Sequence, residues 1–417
     1  MYEQLMELVV HPENAREALA AVKRNHGAAG IDGMTTDQLG PHLKAHWEIV
    51  RDKLLKGTWT PSPVRKVVIP KPDGGTRTLG IPTVMDRFVQ QTLLQVLTPI
   101  FDEGFSPNSY GFRPGRNAHD AIRAAQGHVE EGYEWVVDID IAKFFDHVHH
   151  DILMGRIGRT IRDKRVLKLI GRYLRRGAMI GGVAVVNKEG TPQGGPLSPL
   201  LANIYLDALD KELEARGHRF SRYADDCNIY VRSEIAATRV MANIREWIGS
   251  RLKLKINETK SGVGKARDRK FLGFQLNHKC QITVAQSSLK RFKERVRQLW
   301  QYGQSRTSNQ LRDHWKSYLR GWWNYYGIAD DIGAVLRLES WIRRHIRKTF
   351  WLRWHGRRGR RRALQHLGLR GESLRIAGSS RGAWRLAMSP QLHAALNNDT
   401  LRRYGFLMPS DLRVPSQ

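Results

Sequence analysis

The chain has 417 residues, too many for one ordinary core, so two to four domains or lobes are expected. Its apolar share of 41% is that of a globular protein, and no apolar run approaches the ~18 residues of a membrane span. Two distant cysteines, Cys227 and Cys280, exclude a disulfide framework or a Cys-rich zinc site, while a formal net charge of +29 points to a polyanionic partner.

The N-terminal stretch MYEQLMELVV carries acids and no cleavable apolar core, so it reads as a structural helix in a cytoplasmic protein without a membrane partner. Residues 1–60 read as helical, broken by the loop GAAGIDG at Gly27–Gly33. Pro61–Pro82 reads as a hairpin, RKVVIPKP and TRTLGIP around Gly74–Gly75, whose prolines put it at a sheet edge. A helix is expected over 84–102, a loop over SPNSYGFRPGRN, and a helix over 118–131. YEWVVDIDI (Tyr133–Ile141) is an apolar strand ending in acids. Helical faces follow at Val166–Leu174 and Leu200–Leu213, then a hairpin over Arg219–Arg232, a helix around Ile244–Ile248, and a strand pair around FLGF (Phe271–Phe274). Strand, helices, hairpin, helix, strand is the order of an α+β fold, a small antiparallel sheet backed by helices.

From about 286 the pattern turns wholly helical, with apolar stripes Leu289–Phe292–Val296–Leu299 and Leu311–Trp315–Tyr318–Trp322. Residues 281–417 hold 27 Lys/Arg against 8 Asp/Glu and eight of the twelve tryptophans. Between Arg343 and Arg362, ten of twenty residues are Lys or Arg and none is acidic. Cations interleaved with aromatics suit phosphate contact plus base stacking; a solvated basic surface is the plain alternative.

Chemistry concentrates in DIDIAKFFD (Asp138–Asp146) and YADD (Tyr223–Asp226). Adjacent acids at a hairpin turn repel one another unless a cation offsets them, and hard cations such as magnesium prefer carboxylate oxygen. Two such acids facing a third on a neighbouring strand suit nucleotidyl transfer with two metal ions. Asp-Asp is also a common turn dipeptide, and Asp138 competes with Asp140 by spacing.

YADD resembles the central acidic motif of reverse transcriptases, and DIAKFFD their first. That resemblance implies Asp140, Asp225 and Asp226 as catalytic ligands of two Mg2+ ions, with Mn2+ as a substitute. It implies Phe145 as the ring that excludes a 2′-hydroxyl. IPKPDGGTRTLGIP resembles the fingers hairpin and carries Lys71 and Arg77 onto triphosphate-binding positions. TPQGGPLSPLLANIYLD resembles the motif whose glutamine, here Gln193, lies under the templating pair. LKINETKSG resembles the next motif, with Asn257 and Lys260, and FLGF the primer grip, although a core strand is an equal reading of it. GAAGIDG, YGFRPGRNAHDA and YLRGWWNYYG are similar to signatures of group II intron-encoded proteins, and the scarcity of cysteine resembles the compact bacterial class without an HNH nuclease. The resemblance implies a right-hand polymerase followed by an all-α thumb and a basic tail. Residues 1–60 would be the N-terminal extension and fingers helices, 61–285 fingers and palm, 286–340 the thumb or maturase domain, and 341–417 a DNA-binding domain using Arg357, Arg358, Arg360, Arg361 and Arg362. The implied partners are group II intron RNA, an RNA template with DNA primer, dNTPs and target DNA.

Overall fold

The computed structural model describes residues 2–70, 74–176, 178–180, 183–185, 190, 194–301 and 306–413. Within them the chain forms two compact units, 1–265 and 266–417.

In the first unit, α1 (Leu5–Val9), α2 (Pro12–Arg24) and α3 (Leu39–Leu55) precede the hairpin of β1 (Val64–Pro70) and β2 (Thr76–Ile81). The loop GAAGIDG runs so close to the end of β2 that a Cβ on Gly30 would stand 2.6 Å from the Thr83 Cα. Thr83 then caps α4 (Val84–Asp102), its hydroxyl accepting from the Asp86 amide. Asn117 and Asp120 form a capping box that starts α5 (Ala118–Glu130). Next come β3 (Trp135–Asp140), α6 (Phe144–His147), α7 (His150–Thr160) and α8 (Lys164–Arg175), then β4 (Ala178–Ile180) and β5 (Val183–Val185). The unit closes with α9 (Ser198–Ala215), the hairpin β6 (Arg219–Tyr223) and β7 (Asp226–Val231), α10 (Glu234–Trp247) and β8 (Gly262–Lys265).

Two four-stranded sheets result, β2-β1-β4-β5 and β6-β7-β3-β8. The second is antiparallel throughout; in the first, β1 pairs in parallel with β4, a mixed arrangement not expected from the sequence. A large apolar core underlies the unit, with Leu97, Ile139, Phe144, Tyr205, Phe220 and Ile244 buried in it.

The second unit opens with a small sheet, β9 (Lys270–Phe271), β10 (Phe274–Leu276) and β11 (Ile282–Val284). FLGF is thus a hairpin turn, with Leu272 and Gly273 both at positive φ, 51° and 83°. It packs with the residues after it: the Tyr325 hydroxyl donates to the Leu272 carbonyl at 2.9 Å, and Phe274 lies against the rings of Tyr325 and Tyr326. The compact boundary therefore falls at Lys265/Ala266, earlier than the expected end of the palm at 285.

Helices α11 (Gln286–Gln301), α12 (Ser308–Tyr326), α13 (Gly333–Leu336), α14 (Glu339–Arg353) and α15 (Gly356–His366) follow, then the short α16 (Ala383–Leu386), α17 (Pro390–Ala395) and α18 (Asn398–Arg403). One core joins Phe292, Trp315, Ile346, Leu401 and Phe406; a smaller one gathers Trp351, Leu364, Leu374 and Leu392. The expected break at 340 is absent from the packing, because α11 and α12 share their core with α14 and the C-terminal residues. On α12 the fully buried stripe is Leu311, Trp315 and Leu319, whereas Tyr318 and Trp322 lie at its margin. No helix among the described residues is long and apolar enough to cross a membrane.

Candidate active site

The acids meet where two strands end. Antiparallel pairing of β3 with β7 sets Asp140 directly opposite Asp226, and Asp138 opposite Asn228. Residues opposed in this way have Cα atoms ~4.5–5.5 Å apart and side chains on one face of the sheet. Tyr223 also pairs with Asp226, so Ala224 and Asp225 form a two-residue turn. Ala224 sits at φ +58°, the left-handed conformation that such a turn requires at its first position. For an alanine this costs about 1 kcal/mol, which the surroundings must hold in place.

They do so with a buried polar network that sequence reasoning missed. The Arg222 guanidinium, fully buried, donates to both oxygens of the equally buried Asp210 at 2.6 and 2.5 Å. It also donates to the Ala224 carbonyl at 2.8 Å, the Ser109 hydroxyl at 2.8 Å and Asn203 Oδ1 at 3.2 Å. Asn203 in turn donates to the Gly111 carbonyl. Gly111, from YGFRPGRN, presses on the turn so closely that a Cβ there would stand 2.4 Å from the Ala224 nitrogen. The one sequence signal was the alternation in RFSRYADD, which puts Arg222 on the same core face as Phe220. A cation on such a face requires a buried anion. Phe112, from the same loop, has φ +57° and holds an exposed ring 6.2 Å from that of Tyr223.

The Asp140 strand end is locked from the other side. Its amide donates to the Ser261 hydroxyl, which donates back to the Asp140 carbonyl, and the Asn257 amide donates to that same carbonyl at 2.8 Å. Thus LKINETKSG holds the backbone of Asp140, and Ser261 does as much of this as Asn257. Lys260 Nζ lies 3.8 Å from the Asp140 carboxylate. After Asp140 the chain reverses through Lys143 at φ +45° into α6, burying Phe144 against Tyr205 and leaving Phe145 half-buried, its ring 5.2 Å from that of Phe144.

Electrostatically the cluster is anionic. The Asp226 carboxyl is pushed up to about 7, by desolvation in its crowded setting and then by the charges of Asp225, Asp140 and Asp138, with Lys260 opposing. Its residue surface is nonetheless open to solvent, so a cation has access to it. Among the described residues no three His, Cys, Asp or Glu side chains converge tightly enough to cage a metal. The open carboxylates on one face of the sheet suit a hard cation such as magnesium, which retains waters and takes one or two carboxylates plus substrate phosphates.

Other expected contacts are placed in part. Lys71 and Gln193 lie outside the described residues. The Arg77 backbone stands in β2 opposite Ile69, and its side chain is likewise outside the description. The Gly194–Gly195 pair next in sequence to Gln193 makes close approaches within the protein. A Cβ on Gly194 would meet the Gly80 carbonyl at 2.8 Å, and one on Gly195 the Gln90 side chain at 2.3 Å. In the second unit, Arg357, Arg358, Arg361 and Arg362 are exposed on α15. Arg360 is not one of that exposed group: its guanidinium lies over the buried Trp351 ring at 4.6 Å.

Paired carboxylates at a β-hairpin turn, opposite a third on the central strand, define a polymerase-type nucleotidyl-transfer palm. Residues 69–276 match the family model described as reverse transcriptase (RNA-dependent DNA polymerase), and residues 289–368 that of the group II intron, maturase-specific domain. Protein YkfC of Escherichia coli (strain K12) is 33% identical over 66% of this chain and 84% of its own length. The group II intron-encoded protein LtrA of Lactococcus lactis subsp. cremoris is 33% identical over 53% of this chain, but that match spans only 37% of LtrA. Among solved structures, a chain of the partial Cas6-RT-Cas1–Cas2 complex is similar over 59% of this chain and 42% of its own, with 25% identity and a TM-score of 0.38. The chain belongs to the group II intron-encoded reverse transcriptases, RNA-directed DNA polymerases that carry a maturase-specific domain. Divalent metal ions, typically magnesium, are the general requirement of that family.

Proposed function

We propose that this protein extends a DNA primer on an RNA template, with Asp140, Asp225 and Asp226 holding two magnesium ions, and that it binds group II intron RNA to assist splicing. The observation that carries the catalytic reading is the register that sets Asp140 opposite Asp226 beside the Ala224–Asp225 turn. It favours Asp140 over Asp138, whose cross-strand neighbour is an asparagine. When bound, the metals lower the pKa of the primer 3′-hydroxyl and neutralise the triphosphate.

The protein's own groups supply position. Arg222, Asn203 and Gly111 hold the turn; Ser261 and Asn257 hold Asp140. Phe145 stands five residues after Asp140 as the ring that screens the sugar 2′ position, and Lys71 and Arg77 clamp the dNTP triphosphate. Gln193 lies under the templating pair. Lys260, already drawn to the acid cluster, faces the leaving pyrophosphate. The unit from 266 onward provides the thumb and intron-RNA contacts, and the exposed arginines of α15 take target DNA for insertion of the intron copy. A free-standing enzyme without an intron uses the same palm, and the catalytic RNA domain of an intron downstream of the gene separates the two.

The test is primer extension on an RNA template with dNTPs and magnesium. Asp226→Ala removes a source of mutual repulsion, so it folds, yet it loses several kcal/mol of metal-mediated stabilisation, a drop of more than about a thousandfold. RNA binding persists. Extension within tenfold of the parent sinks the assignment, and a more damaging Asp138→Asn than Asp140→Asn moves the ligand two residues back.

A further inference from the structure

The helices of the second unit enclose a cleft of about 470 Å3, which the palm chemistry leaves unused. Its volume falls within the range of ~300–1,000 Å3 typical of small-molecule sites. Its floor is apolar, with Leu396 and Phe406 buried. One wall is a run of rings: Phe350 stands 6.4 Å from Trp354 and 6.3 Å from Tyr404, and Tyr404 is 40% exposed. The rim is cationic. Arg312, Lys316 and Arg403 line it against one acid among the described residues, Asp313, whose carboxylate is held by Arg312 at 2.8 Å.

This combination discriminates among ligands. A purely apolar ligand has no use for a cationic rim, and a purely anionic one leaves the ring wall wet. A nucleotide satisfies both, with its base on an aromatic face and its phosphate among cations. Helix α15 lends Ala363 and His366 to the cleft, with Leu367 just beyond its end, while its exposed Arg357, Arg358, Arg361 and Arg362 lie on the opposite face of that helix.

We infer that this cleft receives one unpaired nucleotide of a bound single strand, the base stacking in the Trp354–Phe350–Tyr404 run and the phosphate lying near Lys316 and Arg403. The inference rests on the reading that the second unit binds nucleic acid. It adds a preference for unpaired over paired strands, which phosphate contacts alone do not provide.

The experiment uses the full chain and two fluorescent RNAs, a short unstructured oligomer and a hairpin of the same length, titrated by anisotropy over a salt series. Tyr404→Ala weakens binding of the oligomer about tenfold, the size of one lost base–aromatic stack, and leaves the hairpin within twofold. Lys316→Gln reduces the salt slope for the oligomer by roughly one unit. In the parent protein, 5-bromouridine in the oligomer cross-links to peptides bearing Trp354 or Tyr404, a result that needs no variant and survives if Tyr404→Ala proves unstable. Unchanged oligomer affinity in a folded Tyr404→Ala protein, an equal loss on both RNAs, or cross-links confined to other peptides overturns the cleft. Loss of the cross-link to low micromolar AMP reassigns it to a free mononucleotide and overturns the strand reading. If the parent binds neither RNA in a salt-dependent way, the nucleic-acid reading of the unit falls, a failure distinct from that of the cleft.

Discussion

Behind the Ala224–Asp225 turn one ion pair is fully buried and matched; on α15 four arginines stand in water beside a core that holds Trp351. Arg222 and Asp210 are both fully buried and joined by two short hydrogen bonds, and they reach the turn through the Ala224 carbonyl. In the second unit the fully buried bulk is Trp315 and Trp351, and four of the five arginines between 357 and 362 face solvent. Reaction chemistry demands a fixed geometry, which buried, mutually satisfied polar groups supply at the expense of desolvation. Affinity for a polyanion demands only accessible charge on a stable support.

The contrast breaks first at Arg222. Arg222→Met leaves Asp210 as a buried carboxylate without its partner, and removing one member of such a pair costs about 3–5 kcal/mol. Denaturant midpoints measure the loss, and less than about 1 kcal/mol means the pair is not the brace described. The double variant Arg222→Met with Asp210→Leu sharpens the point. Apolar replacement of both partners recovers most of the stability. It does not restore the hydrogen bond to the Ala224 carbonyl, so primer extension stays depressed in a protein that is again well folded. Extension at parental rate in the double variant shows that the strained turn holds itself.

On the exposed side, replacing Arg357, Arg358, Arg361 and Arg362 together by Gln flattens the slope of log affinity against log salt by roughly three units, at about 0.7–0.9 per phosphate contact. Stability changes little, since these side chains are exposed. Arg360→Gln behaves in the opposite way, with a slope near the parent's and a lower melting temperature, because its guanidinium covers Trp351. Insertion into DNA suffers more than splicing if α15 holds target DNA; equal loss of both makes it an intron-RNA contact. An unmoved slope in the fourfold variant leaves these arginines as a solvated surface.

The parts of this contrast that were legible in the sequence are those encoded locally. YADD between two alternating runs announces a hairpin with acids near its tip. The basic run and its interleaved tryptophans are visible without any structure. What stayed hidden depends on residues far apart in the chain. Arg222 meets Asp210 at a separation of 12 residues but Ser109 at 113, and no periodicity links them. The FLGF turn lies within the reverse-transcriptase match of residues 69–276, yet the clasp of Tyr325 and Tyr326 packs it with the second compact unit, a contact across more than fifty residues that no local pattern encodes. β4 and β5, three residues each, are too short for an alternation pattern to register. On α12 Leu319 completes the fully buried stripe with Leu311 and Trp315, while Tyr318 and Trp322 are partly buried against the same core.

The smallest expected effect lies one helical turn from the brace. Asp207 on α9 has one carboxylate oxygen buried without a hydrogen-bond partner among the described residues. Its carboxyl is pushed up to about 6, by burial first and then by the negative charge of Asp210, with Lys211 and Arg222 opposing. A carboxyl raised on folding binds its proton more tightly in the native state than in the unfolded chain. Between pH ~4 and ~6 the native state therefore holds more protons, so stability falls as pH rises through that window, and the deficit is complete above it. Asp207→Asn removes the deficit and retains an acceptor. Thermal or denaturant unfolding then shows the variant more stable than the parent at pH 7–8 by about 1–2 kcal/mol, after allowance for solvent reaching this half-buried group. Toward pH ~3 the two proteins converge, because there the parental carboxyl is protonated in the unfolded chain as well as in the native state. A variant that is less stable at pH 7, or whose advantage persists unchanged toward pH ~3, means that the Asp207 charge belongs to the Arg222 brace, and the buried network then carries two anions on one cation rather than a matched pair.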